Sequence, residues 1–300
     1  MNKTSNLFRR PALFRRQQRL FRMDRFQKFL VVFMTLFSLL MLIPLVYIFN
    51  NALKPFQELF AFPPTLFVRH PTLHNFLDLI AVTQSSVTPI SRYLFNSIVV
   101  TGLAVVGVTV VSGMCAYPLS KMKFPGHNLV FGTILLTLMF APEAVSTTRY
   151  IVVTHIGIMN TYWAHLLPLM AAPVAVFLFK QFMDQIPNEL LEAGKMDGAK
   201  ELTVFFKIVI PMCMPAVATV AILTFQAAWS NTETSSLFMQ DESMKTFSFY
   251  ISTLVSGASA NIARTGTVAA AGLILFIPNL IIFLIFQRKV IATMAHSGIK

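Results

Sequence analysis

Six stretches of about 20 mostly apolar residues run through this chain, each long enough as a helix to cross roughly 30 Å of hydrocarbon. They lie near 29–50, 94–117, 128–146, 162–181, 208–229 and 265–286. No compact globule of 300 residues could bury that much apolar surface: 55% of the side chains are hydrophobic and only 12% charged, where soluble domains carry about 25%. The mean hydropathy of +0.67 says the same. The 29 Phe and 16 Met suit contact with lipid and irregular packing between helices. The expected fold is therefore an all-α membrane protein with six transmembrane helices. The third and fourth stretches are interrupted, the one followed by Glu143 and Arg149, the other containing Pro168 and Pro173. Proline is tolerated in membrane helices when neighbours re-satisfy the freed carbonyls.

The basic residues orient these helices. Nine of the 24 Lys and Arg fall within residues 1–28, opposed only by Asp24. A basic cluster beside an apolar run fits anionic lipid better than nucleic acid. The run that follows is too long for a signal-peptide core and has no small-residue cleavage site. With the N-terminus inside, 18 basic residues lie on the cytoplasmic side and 6 outside, among them Arg264. That positive-inside bias places both termini in the cytoplasm. The expected organisation is a basic cytoplasmic segment at 1–28, a six-helix transmembrane body at 29–290 and a cytoplasmic tail at 291–300. External loops then lie at 51–92, kept irregular by Pro55, Pro63, Pro64 and Pro71, and at 230–262, rich in Ser, Thr and acidic residues.

Chemistry-bearing clusters are scarce. Cys115 and Cys213 sit singly in apolar segments, which reads as small hydrophobes. The apolar segments contain no Ser/His, Asp/Asp or His-x-x-x-His arrangement for an intramembrane enzyme. Their few ionisable groups also argue against a proton relay. His127, His155 and His165 read as interfacial or packing residues.

The informative stretch is the polar connector at 182–207. Pro187 suits the start of a helix and Asp197-Gly198 a turn, giving a short helix, a bend and a second helix running into the fifth apolar stretch. Ala193, Gly194, Gly198 and Ala199 leave almost no side chain at the bend, so another protein could approach the backbone closely. Glu192, Lys195, Asp197 and Lys200 flank that patch and could set orientation. A plain solvated connector would show the same small residues, but the long spacing Glu192-Ala193-Gly194-x2-Asp197-Gly198-Ala199-x8-Ile208-x-Ile210-Pro211 is harder to reach by chance.

That spacing resembles the Glu-Ala-Ala loop of ATP-binding-cassette importer permeases, with Gly194 and Ile210 as mild departures. Residues 116–126, Phe95-Asn96-Ser97, Asn160-Thr161-Tyr162-Trp163, Phe179-Lys180-Gln181-Phe182 and Glu58 to Pro64 are similar to the maltose-type carbohydrate permeases. After Trp229 that group has Asn and then an acidic residue, where this chain reads Ser230-Asn231-Thr232-Glu233. The resemblance implies a permease subunit of a bacterial inner-membrane importer. Its partners would be a second homologous permease, two ATPase subunits, an extracytoplasmic solute-binding protein and a carbohydrate substrate. Glu192, Ala193, Gly194, Asp197, Gly198 and Ala199 would dock the ATPase. No Gly-x4-Gly-Lys-Ser/Thr phosphate loop occurs in the chain, so ATP and Mg would belong to the partner, with no cofactor here.

Asn96, Asn160, Trp229 and Asn231 are candidates for the substrate path, because amides and an aromatic face suit sugar rings. The bland alternative makes Trp229 an interfacial anchor and the amides links between helices. A permease of the same superfamily for peptides or another solute, and a non-transporting scaffold, remain as alternatives.

Overall fold

The computed structural model describes residues 24–63, 65–84, 88–258 and 265–297. Residues 1–23 of the basic segment, with Pro64, Arg264 and Lys300, lie outside them. The described residues are helical, with no strand among them. In chain order the helices are α1 (Arg25–Leu53), α2 (Phe56–Leu59), α3 (His74–Gln84), α4 (Ile90–Lys121), α5 (His127–Thr137), α6 (Ser146–Ile156), α7 (Tyr162–Met170), α8 (Pro173–Met183), α9 (Asn188–Met196), α10 (Glu201–Val204), α11 (Ile210–Met212), α12 (Met214–Trp229), α13 (Glu233–Phe238), α14 (Phe247–Ala258) and α15 (Thr265–Ser297).

Among the described residues, only α1, α4 and α15 are unbroken helices long and apolar enough to cross a bilayer. The other expected crossings are broken, each at proline. α7 and α8 meet at 45°. Pro173 opens α8, and Ala172 before it takes φ −114°, ψ 81°, because proline crowds the preceding residue out of the helical region. The 201–212 segment and α12 meet at 82° around Cys213, with Pro215 in the first turn of α12. The stretch expected at 128–146 is two pieces. α5 ends at Thr137, Ala141 is extended ahead of Pro142, and the chain re-enters a helix at Ser146. If each bent pair is one crossing, the structure has up to five spans by length and composition.

Packing follows side-chain size. α4 runs through the middle of the molecule and buries Ala104, Val108, Gly113 and Ala116 against α8 and α12. A β-carbon on Gly113 would sit 3.4 Å from the ring of Phe205, and such small residues let membrane helices approach. α1 packs on α15, Phe49 edge-on to Phe276. Most of α1 stays exposed, with Phe29, Phe33 and Phe37 stacked in a row along one face.

Both long loops are more ordered than their composition suggests. In 51–92, Asn75 donates its amide to the carbonyls of Asn51, Ala52 and Lys54 at 3.3, 2.9 and 2.8 Å. This satisfies backbone acceptors that the end of α1 leaves open. Glu58 accepts the backbone N–H groups of Arg69 and His70, both at 3.0 Å. In 230–262, α14 buries Phe247, Tyr250, Ile251 and Leu254 against α4 and α15.

Candidate functional site: the α9 connector

The connector is a helix, a glycine bend and a second helix. Pro187 stands one residue earlier than expected, at the N-cap with φ −59°, ψ 137°, and α9 begins at Asn188. Its C-terminus is closed by a Schellman motif. Gly198 N–H donates to the Lys195 carbonyl at 2.9 Å and Ala199 N–H to the Gly194 carbonyl at 3.1 Å, with Gly198 at φ +81°. The Asp-Gly-Ala triplet thus has a backbone reason, because the motif needs a left-handed residue where glycine carries no penalty.

The six motif residues divide between two faces. Glu192, Ala193, Asp197 and Gly198 are exposed, and Met196 beside them is 87% exposed. Gly194 and Ala199 are half-buried and turn inward. A β-carbon on Gly194 would lie 2.7 Å from Cδ1 of Ile208, and Ala199 packs on the largest apolar core. The small patch therefore serves two surfaces, one facing solvent and one facing the second helix of the same connector.

The connector is anchored in that core. Leu191 of α9 is 5% exposed and clusters with Tyr117 and Leu119 of α4, Phe179 and Met183 of α8, and Val204, Phe205 and Val209. Residues 205–209 form a π-turn between α10 and α11, a wider backbone loop frequent at functional positions. Polar ties reinforce the packing. Lys195 pairs with Glu201 at 2.5 Å, and Glu201 accepts the Tyr117 hydroxyl at 2.8 Å. These two donors hold the Glu201 carboxyl below the usual carboxylate range. Lys121 at the end of α4 donates to the Ile186 carbonyl at 2.6 Å and to Asn188 at 3.3 Å. A displacement of α9 therefore reaches α4, α8 and, through the 82° bend, α12.

The opposite end of α4 holds a polar network that pins residues 231–246. Asn96 is fully buried, donating to the Ser243 and Lys245 carbonyls at 2.8 and 2.9 Å and accepting the Tyr162 hydroxyl at 2.7 Å. Asn160, at φ 58°, clasps Asp241 with both ends of its amide. Asn231 accepts the backbone and hydroxyl of Thr234 at 2.9 and 2.8 Å. Trp229 is buried, stacks on Phe225 at 5.7 Å and donates to the Leu275 carbonyl of α15 at 3.0 Å. Arg149 pairs with Glu233 at 2.9 Å, and the fully buried His165 bridges Thr234 and Met244.

Residues 17–290 match the family of binding-protein-dependent transport system inner membrane components. The chain belongs to that family. Among its relatives is the sn-glycerol-3-phosphate transport system permease protein UgpE of Yersinia pestis bv. Antiqua (strain Antiqua). It is 32% identical over 263 residues, covering 86% of this chain and 92% of the relative. The arabinooligosaccharides transport system permease protein AraQ of Bacillus subtilis (strain 168) is 29% identical over 273 residues, covering 90% of this chain and 95% of AraQ. The fold is that of a solved bacterial ABC transporter involved in import of the acidic polysaccharide alginate. That match has a TM-score of 0.73 at 19% identity and covers 89% of this chain and 98% of that one.

In this permease the four residues expected on a substrate path are all engaged in bonds within the chain, three of them across the 231–246 segment. The packing reading of His165 agrees with its burial, but the partners of Tyr93, Ser97, His165 and Arg149 around that segment are not legible in sequence, because they lie 69 to 150 residues away. Sequence reasoning also reads residues 247–258 as loop. The apolar spacing Phe247, Tyr250, Ile251, Leu254 is a helical stripe and could have revealed α14.

Proposed function

We propose that this permease forms half of the translocation path for a carbohydrate and receives the work of ATP hydrolysis on the exposed face of α9. The observation that carries this reading is the division of the motif into two faces: Glu192, Ala193, Asp197 and Gly198 are exposed, while Leu191 and Gly194 tie the same short helix to the core. A docking element must offer a contact surface and also transmit displacement, and α9 does both. ATP and Mg would sit on two separate ATPase subunits, one touching residues 188–207 and the other the matching loop of a second, homologous permease. Closure of the ATPases on nucleotide shifts the path between states only through contacts that differ between those states.

The positive-inside bias supports six crossings with both termini cytoplasmic, the basic segment 1–28 against anionic lipid and the tail 291–300 inside. The sixth crossing would be α5 and α6 together, each 11 residues. At about 1.5 Å per residue, the two together approximate the hydrocarbon thickness. The body at 29–290 would lie in a bacterial cytoplasmic membrane, with loops 51–92 and 230–262 turned to an extracytoplasmic solute-binding protein. Such a partner fits the solved alginate transporter in complex with an alginate pentasaccharide-bound periplasmic protein. The carbohydrate class is supported by the arabinooligosaccharide and alginate systems that this chain is similar to. Asn96, Asn160 and Asn231 shape the outer mouth by holding 231–246 in place, and Trp229 by tying α12 to α15, rather than by touching the solute.

Co-purification tests this. The tagged full chain, expressed in its own host, should bring down an ATPase and a second permease. Recovery of the folded chain with neither would overturn the reading and leave a scaffold.

A further inference from the structure

The corner where α4 turns into α5 holds a cavity of about 360 Å³ that the docking role does not use. Lys121, Lys123, Lys180 and His127 line it, with Ser120 and Asn188. Lys180 is held in place by Asp184 at 2.7 Å and by the ring face of Phe131 at 4.6 Å. Lys121 makes two of its three possible hydrogen bonds, to the Ile186 carbonyl and Asn188. Lys123 is exposed and makes no ion pair or hydrogen bond among the described residues. The nearby acids are Asp184, shared between Ser120 and Lys180, and Glu189 on α9. Three ammonium groups against two carboxylates leave the cavity cationic, with donors still available on Lys121 and Lys123.

Its setting selects the anion. The cavity opens where the apolar run of α4 gives way to charge and where α8 ends in Lys180 and Asp184. From it α5 descends with no buried residue, exposing Leu129 and Leu136. A cationic hollow above an uncovered apolar helix matches a phosphate headgroup with its acyl chains beneath. We propose that this corner binds an anionic phospholipid, its phosphate between Lys121 and Lys123 and its chains along α5. The site shares Lys121 and Asn188 with the anchor of α9, so lipid binding and ATPase recovery are read separately.

Native mass spectrometry of the full chain in neutral detergent, titrated separately with phosphatidylglycerol, phosphatidylcholine and inorganic phosphate, tests the proposal. Phosphatidylglycerol should bind in preference to phosphatidylcholine and resist displacement by millimolar phosphate. Lys123→Gln should weaken it about fivefold, the effect of one lysine at an anionic surface, while Lys123→Arg retains it. Lys123 is exposed, so the variant leaves the fold intact, and Arg69→Gln on another loop should change nothing. Equal binding of the two lipids, or a Lys123→Gln variant that binds normally, overturns the site. Displacement by phosphate alone reassigns it to a soluble anion and overturns the lipid. Unchanged lipid binding with loss of a co-purifying ATPase in Lys123→Gln would assign the corner to an acidic protein segment instead.

Discussion

Gly194 and Gly198 stand four residues apart and answer to different physics. Gly198 is glycine because of its backbone, at φ +81° with open space where a β-carbon would go. Gly198→Ala should cost about 1–2 kcal/mol and fray the end of α9, seen as a lower unfolding temperature in detergent. Gly194 is glycine because of its neighbour, the tip of the Ile208 side chain. That tip can rotate aside, so Gly194→Ala should cost no more than about 1 kcal/mol, and Gly194→Leu more, as overpacking does. The related motif has alanine at this place, which agrees with that order. Glu192 is exposed, so Glu192→Lys should leave stability within about 0.5 kcal/mol and act only on ATPase contact. The docking role proposed for these residues rests on their spacing. Which of them face inward is not legible there, because that depends on where the π-turn places Ile208.

Among the elements, α9 is too short to hold itself as a helix in water, so its attachment through Leu191 decides its behaviour. Leu191→Ala should cost about 2–3 kcal/mol by leaving a cavity. It should also uncouple the importer: ATP hydrolysis persists but no longer responds to substrate. At the other end of α4, Asn96→Leu leaves the Ser243 and Lys245 carbonyls without a donor. A loss of about 1–3 kcal/mol follows, together with protease sensitivity of 231–246 and no change at α9. The long helices were readable because apolar runs of that length permit little else. The breaks were less so, since the same residue type gives both outcomes. Pro44, Pro118 and Pro278 sit within unbroken helices, whereas Pro142, Pro173 and Pro215 stand at helix starts. Residue type alone does not separate them; the outcome is set by the rest of the fold. The amides stay ambiguous in sequence for a similar reason, as sugar-binding and helix-pinning asparagines have the same composition.

Across the whole molecule, the polar network beside the start of α4 and the α9 connector are joined by the length of that helix, and the proposed topology would put them on opposite faces of the membrane. Single-cysteine labelling at Arg69 and Lys245 should proceed from outside intact spheroplasts, and labelling at Met196 only after permeabilisation. A label reaching all three from one side would refute the topology. The central claim is that α9 carries the ATPase's work into this chain. It is tested most directly by substrate-stimulated ATP hydrolysis of the reconstituted importer carrying Gly198→Trp or Glu192→Lys. Both variants should insert normally and lose the stimulation; normal stimulation in both would mean that α9 does not carry that work.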